Sequence, residues 1–208
     1  MKITILNDDN PENPRQNDNM GTMSCRKHRR YTFGDEQFDG SIEDFVAKLP
    51  KNSVVIPLYM YDHGNVTVAT TPFSCPFDSA RLGVIWVSPK DVRANCGSKA
   101  DAMERARNVL EAEVREYNHY VSGEVYGLKI ESPGEDPETT YGYYGADVFK
   151  NGMAGNCSDE ELPHLAKAAA AAGLSCNEAD MANDLAERLA RRTQKALSQA
   201  KRKPAGRV

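Results

Sequence analysis

The chain has 208 residues, of which 40% are hydrophobic, and carries a formal net charge of −4 at pH 7. This length is enough to bury a core without disulfides. The five cysteines stand at irregular spacings with no CxxC pair, which argues against a zinc ribbon and predicts reduced thiols in a cytosol. The apolar run at residues 3–6 is too short for a secretory segment, and no stretch approaches the roughly 20 apolar residues of a membrane helix. We therefore expect a soluble, cytoplasmic protein with no membrane contact.

The small net charge conceals a separation of charge along the chain. Residues 188–208 contain eight Lys and Arg and no acid, so residues 1–187 carry a net charge of −12. Such a segment suits a solvated helix end that complements the helix dipole, an arm that binds nucleic acid, or a segment that folds back onto the acidic body. We expect it to make few core contacts. Its candidate nucleic-acid contacts are Arg191, Arg192, Lys201, Arg202 and Lys203.

The first elements are predicted from alternation and turn chemistry. Residues 2–6 alternate and are rich in β-branched side chains, which predicts an opening strand. Residues 7–21 contain two prolines and five asparagines and predict a long exposed loop. Ser41 is the expected N-cap of a short helix that ends at Pro50. Residues 53–61 and 66–70 predict a β-hairpin, because Gly64 and Asn65 in the turn tolerate a positive φ.

A buried strand and a long helix follow. The apolar run GVIWV at residues 83–87 predicts a buried strand, and Pro89 predicts the start of a helix. Residues 98–121 predict a long amphipathic helix, and we expect Trp86 to be buried beneath it. The apolar positions of this helix recur at spacings of three or four and are Met103, Ala106, Leu110, Val114, Tyr117 and Val121.

The rest of the chain changes from strand patterns to alanine-rich helices. Strands are predicted at residues 124–131 and 141–147, followed by a glycine-rich hinge at 151–156 and helices over 159–172 and 177–201. This order predicts an α+β fold: a mostly antiparallel sheet covered by a long amphipathic helix, with a C-terminal alanine-rich helical hairpin. We expect an α+β body over residues 1–150 and a helical extension with a basic tail over residues 151–208.

Reactive side chains concentrate after the hairpin. Asp62 and His63 stand at its turn, and Cys75 and Asp78 lie in a proline-bounded loop that must return to the sheet. A carboxylate beside an imidazole fixes its tautomer and raises its basicity, so these four residues are catalytic candidates, with Cys75 or Ser79 as the nucleophile. A structural cluster is the alternative, since turn aspartates often bond to the backbone. We predict that His63 lies close to Cys75 or Asp78.

The basic run RKHRRY at residues 26–31 is a second candidate site. Its cations, Arg26, Lys27, Arg29 and Arg30, suit contact with phosphate or nucleic acid, and a solvated turn is the alternative. Cys25 and His28 would complete a Cys2His2 set with Cys75 and His63, but the surrounding cations oppose a metal ion. We expect no metal and no cofactor. The P-loop, GxSxG, HExxH and GxGxxG motifs are absent from the sequence.

Several ordered motifs resemble those of a family of small proteins carried by phages, prophages and plasmids. The motifs are NMGTMSC, HRRYTFGDE, LYMYDHGNVTVATTPFSCPFDS, GVIWVS, VYGL and YGYYGAD, within residues 1–150. Phe77 stands where the family motif has a tryptophan before Asp78. The resemblance implies an accessory protein that acts on host machinery, and it implies no catalytic residues.

Three functions follow from these observations. The resemblance and the acidic body favour an anti-defence inhibitor, of the anti-CRISPR or anti-restriction kind, that binds a host protein or nucleoprotein complex. A hydrolase that acts on a nucleotide or a defence signal through His63 is the first alternative. A nucleic-acid-binding accessory factor, using RKHRRY and the basic tail, is the second. The sequence leaves open whether the protein is an enzyme, and it leaves the oligomeric state open.

Overall fold

The structure, a computed structural model, describes residues 1–75 and 77–202, with side chains to residue 195 and at residue 198. The fold is α+β. The strands are β1 (Lys2–Asn7), β2 (Thr22–Arg26), β3 (Glu36–Phe38), β4 (Val54–Asp62), β5 (Val66–Ala69), β6 (Ser79–Val87), β7 (Val125–Glu131) and β8 (Glu138–Tyr144). The α-helices are α1 (Ile42–Ala47), α2 (Pro89–Cys96), α3 (Ala102–Ser122), α4 (Leu162–Ala172) and α5 (Glu178–Arg202).

Backbone contacts divide the chain into two units. The central unit is Asp9–Val125, and the terminal unit combines Met1–Asp8 with the chain from Tyr126 onward. The boundary expected near residue 150 lies inside the terminal unit. None of the helices in the described residues is long and apolar enough to cross a membrane.

The central unit contains a five-stranded sheet in the order β3-β2-β6-β4-β5. The predicted β-hairpin is confirmed: β4 and β5 pair antiparallel, with Tyr61 opposite Thr67 and Asp62 opposite Val66, and Gly64 has a φ of 83°. Strands β2 and β3, which pair in parallel, were not predicted. Both are short, and they flank the basic run, whose composition is that of a turn.

One face of this sheet forms the core of the central unit. Along β4, alternate residues from Val54 to Met60 are buried and join a cluster with Leu110, Val114 and Tyr117 of α3. The prediction that Met103 belongs to this apolar stripe is wrong, because its side chain is 44% exposed. The buried residue of that first helical turn is its neighbour Ala102.

The prediction that Trp86 lies beneath the long helix is wrong. Ile85 and Val87 enter the core cluster, and successive side chains of a strand point to opposite faces. Trp86 therefore lies on the face remote from α3, where it is half-buried and its Nε1 donates to Ser24 Oγ at 3.0 Å. The apolar run GVIWV carries no alternation from which its two faces could be told apart.

The prediction of an exposed loop over residues 7–21 is also wrong in part, because Arg15 within this segment is buried. A short 3-10 turn, Pro14–Gln16, places the Arg15 side chain in the interior at 2% exposure. Its Nε and Nη2 donate to the two oxygens of Asp35 at 2.9 and 2.6 Å, and its Nη1 donates to Glu113 Oε2 at 2.8 Å. Nη2 also donates to the Gly21 carbonyl at 2.6 Å. The guanidinium thus links the 3-10 turn to Asp35, just before β3, and to Glu113 in helix α3.

The terminal unit has a three-stranded sheet in the order β1-β7-β8. Strand β8 begins at Glu138, within the predicted loop, and ends at Tyr144. The prediction of a glycine-rich hinge at residues 151–156 is wrong. Met153–Asn156 is a 3-10 turn, and its Met153 and Ala154 are buried in a cluster with Leu162 and Leu165 of α4.

Arg188 contradicts the expectation that the chain from residue 188 onward makes few contacts. Its Nη1 and Nη2 donate to the carbonyls of Cys157 and Ala154 at 2.6 and 2.7 Å. Its Nε donates to Asp184 Oδ2 at 2.6 Å. Arg188 therefore fastens α5 to the buried 3-10 turn of the same unit.

We predict that Arg15→Gln lowers the free energy of unfolding by about 3 kcal/mol, because it leaves two largely buried carboxylates without their cation. Urea denaturation followed by circular dichroism measures this change. The matched control is Arg107→Gln, at an exposed position of α3, where a change within about 0.5 kcal/mol is expected. Equal effects of the two substitutions would contradict a stabilising role for the Arg15 network.

In the terminal unit, we predict that Arg188→Gln lowers the free energy of unfolding by about 2 kcal/mol, because charge-assisted bonds to two carbonyls are lost. Arg191→Gln is the control, since Arg191 is exposed and pairs with Glu187 on the same helix, a pair worth about 0.5 kcal/mol or less. The same urea titration compares them. If both variants match the parent protein, α5 is not held through Arg188.

Candidate functional site

The catalytic candidates lie where β4, β5 and β6 meet at one end of the central sheet. The backbone N–H of Asp62, the last residue of β4, donates to the Asp78 carbonyl at 2.9 Å, just before β6 begins. This bond brings the loop after the hairpin back to the hairpin turn. The predicted proximity is confirmed, since His63 Nδ1 lies 3.4 Å from Asp78 Oδ2.

Asp78 is the centre of this group, which we call the Asp78 cluster (His63, Cys75 and Asp78). The Cys75 thiol also donates to Asp78 Oδ2, at 3.4 Å. Ser79 Oγ donates to the Cys75 carbonyl. Asp62 points elsewhere, because its nearest ionic partner is Arg30, with 3.8 Å between Oδ2 and Nη1. Three of the four catalytic candidates are thus brought together, and the fourth faces the basic run.

The bonding pattern of the Asp78 cluster suits a structural role better than nucleophilic catalysis. A nucleophilic cysteine needs a base, usually an imidazole, to accept its proton. Here the thiol and the imidazole both approach the same carboxylate oxygen, so the thiol bond is made to Asp78 and not to His63. His63 is 71% exposed, whereas acid-base chemistry gains strength in a site that excludes water. The contacts brace the loop.

The braced loop presents an aromatic side chain to solvent. Phe77, which the sequence analysis did not select as a site residue, is 93% exposed and stands between two residues of the cluster. Phe73, earlier in the same loop, packs near Tyr61, with ring centroids 5.5 Å apart. We call residues 73–75 and 77–79 the Phe77 loop. Pro76, one of the predicted bounding prolines, lies outside the described residues.

The basic run reaches the same end of the sheet. Arg26, Lys27, Arg29 and Arg30 are exposed, and the contact between Arg30 and Asp62 joins the run to the hairpin turn. Lys27 Nζ lies 2.5 Å from Asp39 Oδ2. Two of the four cations therefore face a carboxylate, which lowers the positive potential of this surface.

Cys25 belongs to the core and not to a ligand set. It is fully buried beside Met23 and Phe33, and this burial raises the pKa of its thiol to about 12. His28 stacks on Tyr31, with ring centroids 5.3 Å apart. Within residues 1–75 and 77–202, no group of three or more His, Cys, Asp or Glu side chains is arranged to hold a metal ion.

The candidate contacts in the tail are occupied where the structure describes them. Arg191 Nη2 lies 2.8 Å from Glu187 Oε2, and Arg192 Nη1 lies 2.8 Å from Asp159 Oδ2. The side chains of Lys201 and Arg202, and the whole of Lys203, lie outside the described residues.

Comparison with known proteins adds no identity to this geometry: no family model, curated protein or solved structure matches the chain.

We predict that iodoacetamide at pH 8.5 modifies Cys75, which reaches solvent, and leaves Cys25 and Cys157 unmodified. Burial raises the thiol pKa to about 12 at Cys25 and about 11 at Cys157, from an ordinary value of 9.0. Peptide mass mapping reads the result, and all five cysteines should react in urea. Modification of Cys25 as fast as Cys75 would contradict its place in the core.

The same pKa shifts determine whether the free energy of unfolding rises or falls with pH. A thiol whose folded pKa lies above its unfolded pKa contributes stability that is complete below the unfolded value and is lost as the pH rises through the folded value. The free energy of unfolding should therefore fall as the pH rises from about 9 toward 12, a window set by the Cys25 shift.

Proposed function

We propose that the protein is an accessory protein of a phage or other mobile element that binds host machinery and inhibits a defence system of the CRISPR or restriction kind. The mobile-element setting follows from the motif resemblance. The observation that carries a binding role is the Phe77 loop, in which a large apolar side chain is held in solvent by a braced backbone.

An exposed phenylalanine side chain does not stabilise the isolated protein, but it stabilises a complex in which a partner covers it. Covering a Phe side chain is worth about 1.5–3 kcal/mol, and aromatic anchors of this kind dominate many protein interfaces. Single exposed apolar residues are common on surfaces. Phe77 differs from these because Cys75, Asp78 and Ser79, which lie close to it in the chain, are held by hydrogen bonds. Such a loop loses little conformational entropy when it binds.

Charge supports a basic protein as the partner. Residues 1–187 contain 30 Asp and Glu against 18 Lys and Arg, a net charge of −12. An acidic surface attracts basic partners and raises their association rate, and proteins that handle nucleic acids are commonly basic. Nucleic acid itself is a weaker candidate, because Lys27, Arg30 and Arg81 each face a carboxylate.

The remaining features expected from the sequence have a place in this proposal. The long helix α3 covers one face of the central sheet and supports the strands that carry the Phe77 loop. We propose that helices α4 and α5 pack as a C-terminal helical hairpin. The acidic side chains of this segment lie on α5 and are Glu178, Asp180, Asp184 and Glu187. A hydrolase centred on His63 is the second candidate, favoured by the 3.4 Å approach of His63 to Asp78.

We predict that Phe77→Ser abolishes protection by the protein in a host that carries the target defence system. Loss of a Phe anchor should weaken the complex by about 2 kcal/mol, or roughly 30-fold. The measurement is the plating efficiency of a phage that is otherwise restricted, with the protein supplied from a plasmid. Thermal melting should be unchanged, because Phe77 makes few contacts within the fold.

Two further variants separate the candidates. Met103→Ser removes another exposed apolar side chain of the central unit and should keep full protection. His63→Ala should also keep protection if the protein acts by binding, because the bonds of Asp62 and Cys75 to Asp78 remain. Loss of protection in His63→Ala with normal melting, together with an active Phe77→Ser, would favour the hydrolase and overturn the binding proposal.

A further inference from the structure

A cavity of about 400 Å³ opens on the face of the central sheet that is remote from α3. It lies between the end of β2, the start of β6 and the start of α1. Its lining is Arg26, Gly40, Ser41, Ile42, Glu43 and Arg81. None of these residues belongs to the Phe77 loop, so the site is independent of the function proposed above.

The strand register explains why two arginines share this cavity. Cys25 faces the core, so its neighbour Arg26 lies on the opposite face of β2. Arg81 stands opposite Tyr59, which alternates with the core residues Leu58 and Met60 along β4. Strands β2 and β6 are adjacent in the sheet. The two guanidinium groups therefore stand on one face of neighbouring strands.

The cavity holds more positive than negative charge. Arg81 Nη1 donates to Glu43 Oε1, whereas Arg26 has no carboxylate within ion-pair distance among the described residues. Like charges on neighbouring strands destabilise a sheet. One carboxylate for two guanidinium groups leaves a net positive site that an anion would complete.

We propose that this cavity binds a phosphate monoester carried by a small molecule, with Arg26 and Arg81 donating to the phosphate oxygens. Guanidinium groups match phosphate oxygens with pairs of hydrogen bonds. The volume lies within the range of about 300–1,000 Å³ typical of small-molecule sites. Glu43 can accept hydrogen bonds from hydroxyl groups of the same ligand, as a sugar phosphate or nucleotide would offer.

A small ligand fits the surroundings better than a nucleic-acid strand. The neighbouring cations of the basic run, Lys27 and Arg30, face Asp39 and Asp62. Because these cations are paired with carboxylates, they would add little attraction for the phosphates that flank a bound nucleotide in a strand. A single phosphate in the cavity does not depend on these cations.

Isothermal titration calorimetry with AMP and with inorganic phosphate tests the proposal on the full chain. Both ligands should bind at millimolar concentration, and Arg26→Gln and Arg81→Gln should each weaken binding about tenfold or more, since each removes charge-assisted bonds worth at least that factor. Arg107→Gln, on α3, is the matched control and should bind as the parent protein does. Tighter binding of AMP than of phosphate would identify a nucleotide, and equal binding would identify the phosphate group alone.

Glu43→Gln should strengthen phosphate binding, and a misfolded protein would not give this result. It removes the carboxylate that competes for Arg81, so inorganic phosphate should bind several-fold more tightly than to the parent protein. The proposal is overturned if neither ligand binds, if binding survives both arginine substitutions, or if a short oligothymidylate binds more tightly than AMP. Melting curves of the exposed arginine variants should match the parent curve.

Discussion

The buried guanidinium of Arg15 is the interaction on which the central unit depends. It bonds to Asp35, which precedes β3, to Glu113 in the middle of α3, and to the Gly21 carbonyl at the entry to β2. Glu113 in turn accepts the Met20 backbone N–H at 2.8 Å. Each partner lies largely out of water, so the network stabilises the fold only while all of its members are paired. The network therefore couples the first strand of the central sheet to the helix that covers it.

Close packing around the network reinforces its geometry. A Cβ atom at Gly21 would collide with the Leu110 side chain, and one at Gly34 would collide with the Met23 carbonyl. Gly34 also has a φ of 69° and donates its N–H to the Tyr117 hydroxyl at 3.0 Å. Two glycines thus let the segments on either side of β2 approach α3 closely. The position of β2 then decides where the basic run leaves the sheet.

Local patterns in the sequence predict the parts of the fold that depend on near neighbours. The β4–β5 hairpin is predicted because its turn residues need only their own backbone geometry, and α3 is predicted because its apolar spacing is a property of one helix. Arg15 is not predictable in this way, since its partners lie 20 and 98 residues along the chain. The sheet face on which Trp86 lies is not predictable for the same reason, because it depends on the pairing of β6 with β2 and β4. Within the site, the proximity of His63 and Asp78 follows from the hairpin, but the exposure of Phe77 depends on the path of the following loop.

The hydrogen bonds of Asp78 connect the fold to the proposed function. Its carbonyl accepts from the end of β4, and its carboxylate is approached by the Cys75 thiol and by His63. Asp78, which directly precedes β6, is therefore bonded both to the end of β4 and to Cys75, which lies on the other side of Phe77 in the chain. A reactive group in this place would have to give up a bracing contact in order to act on a substrate. An exposed aromatic side chain needs no such change, because the bonds that hold its loop remain intact when a partner covers the ring. The chemistry that made these residues appear catalytic in the sequence is, in the folded chain, better suited to preorganising a surface for binding.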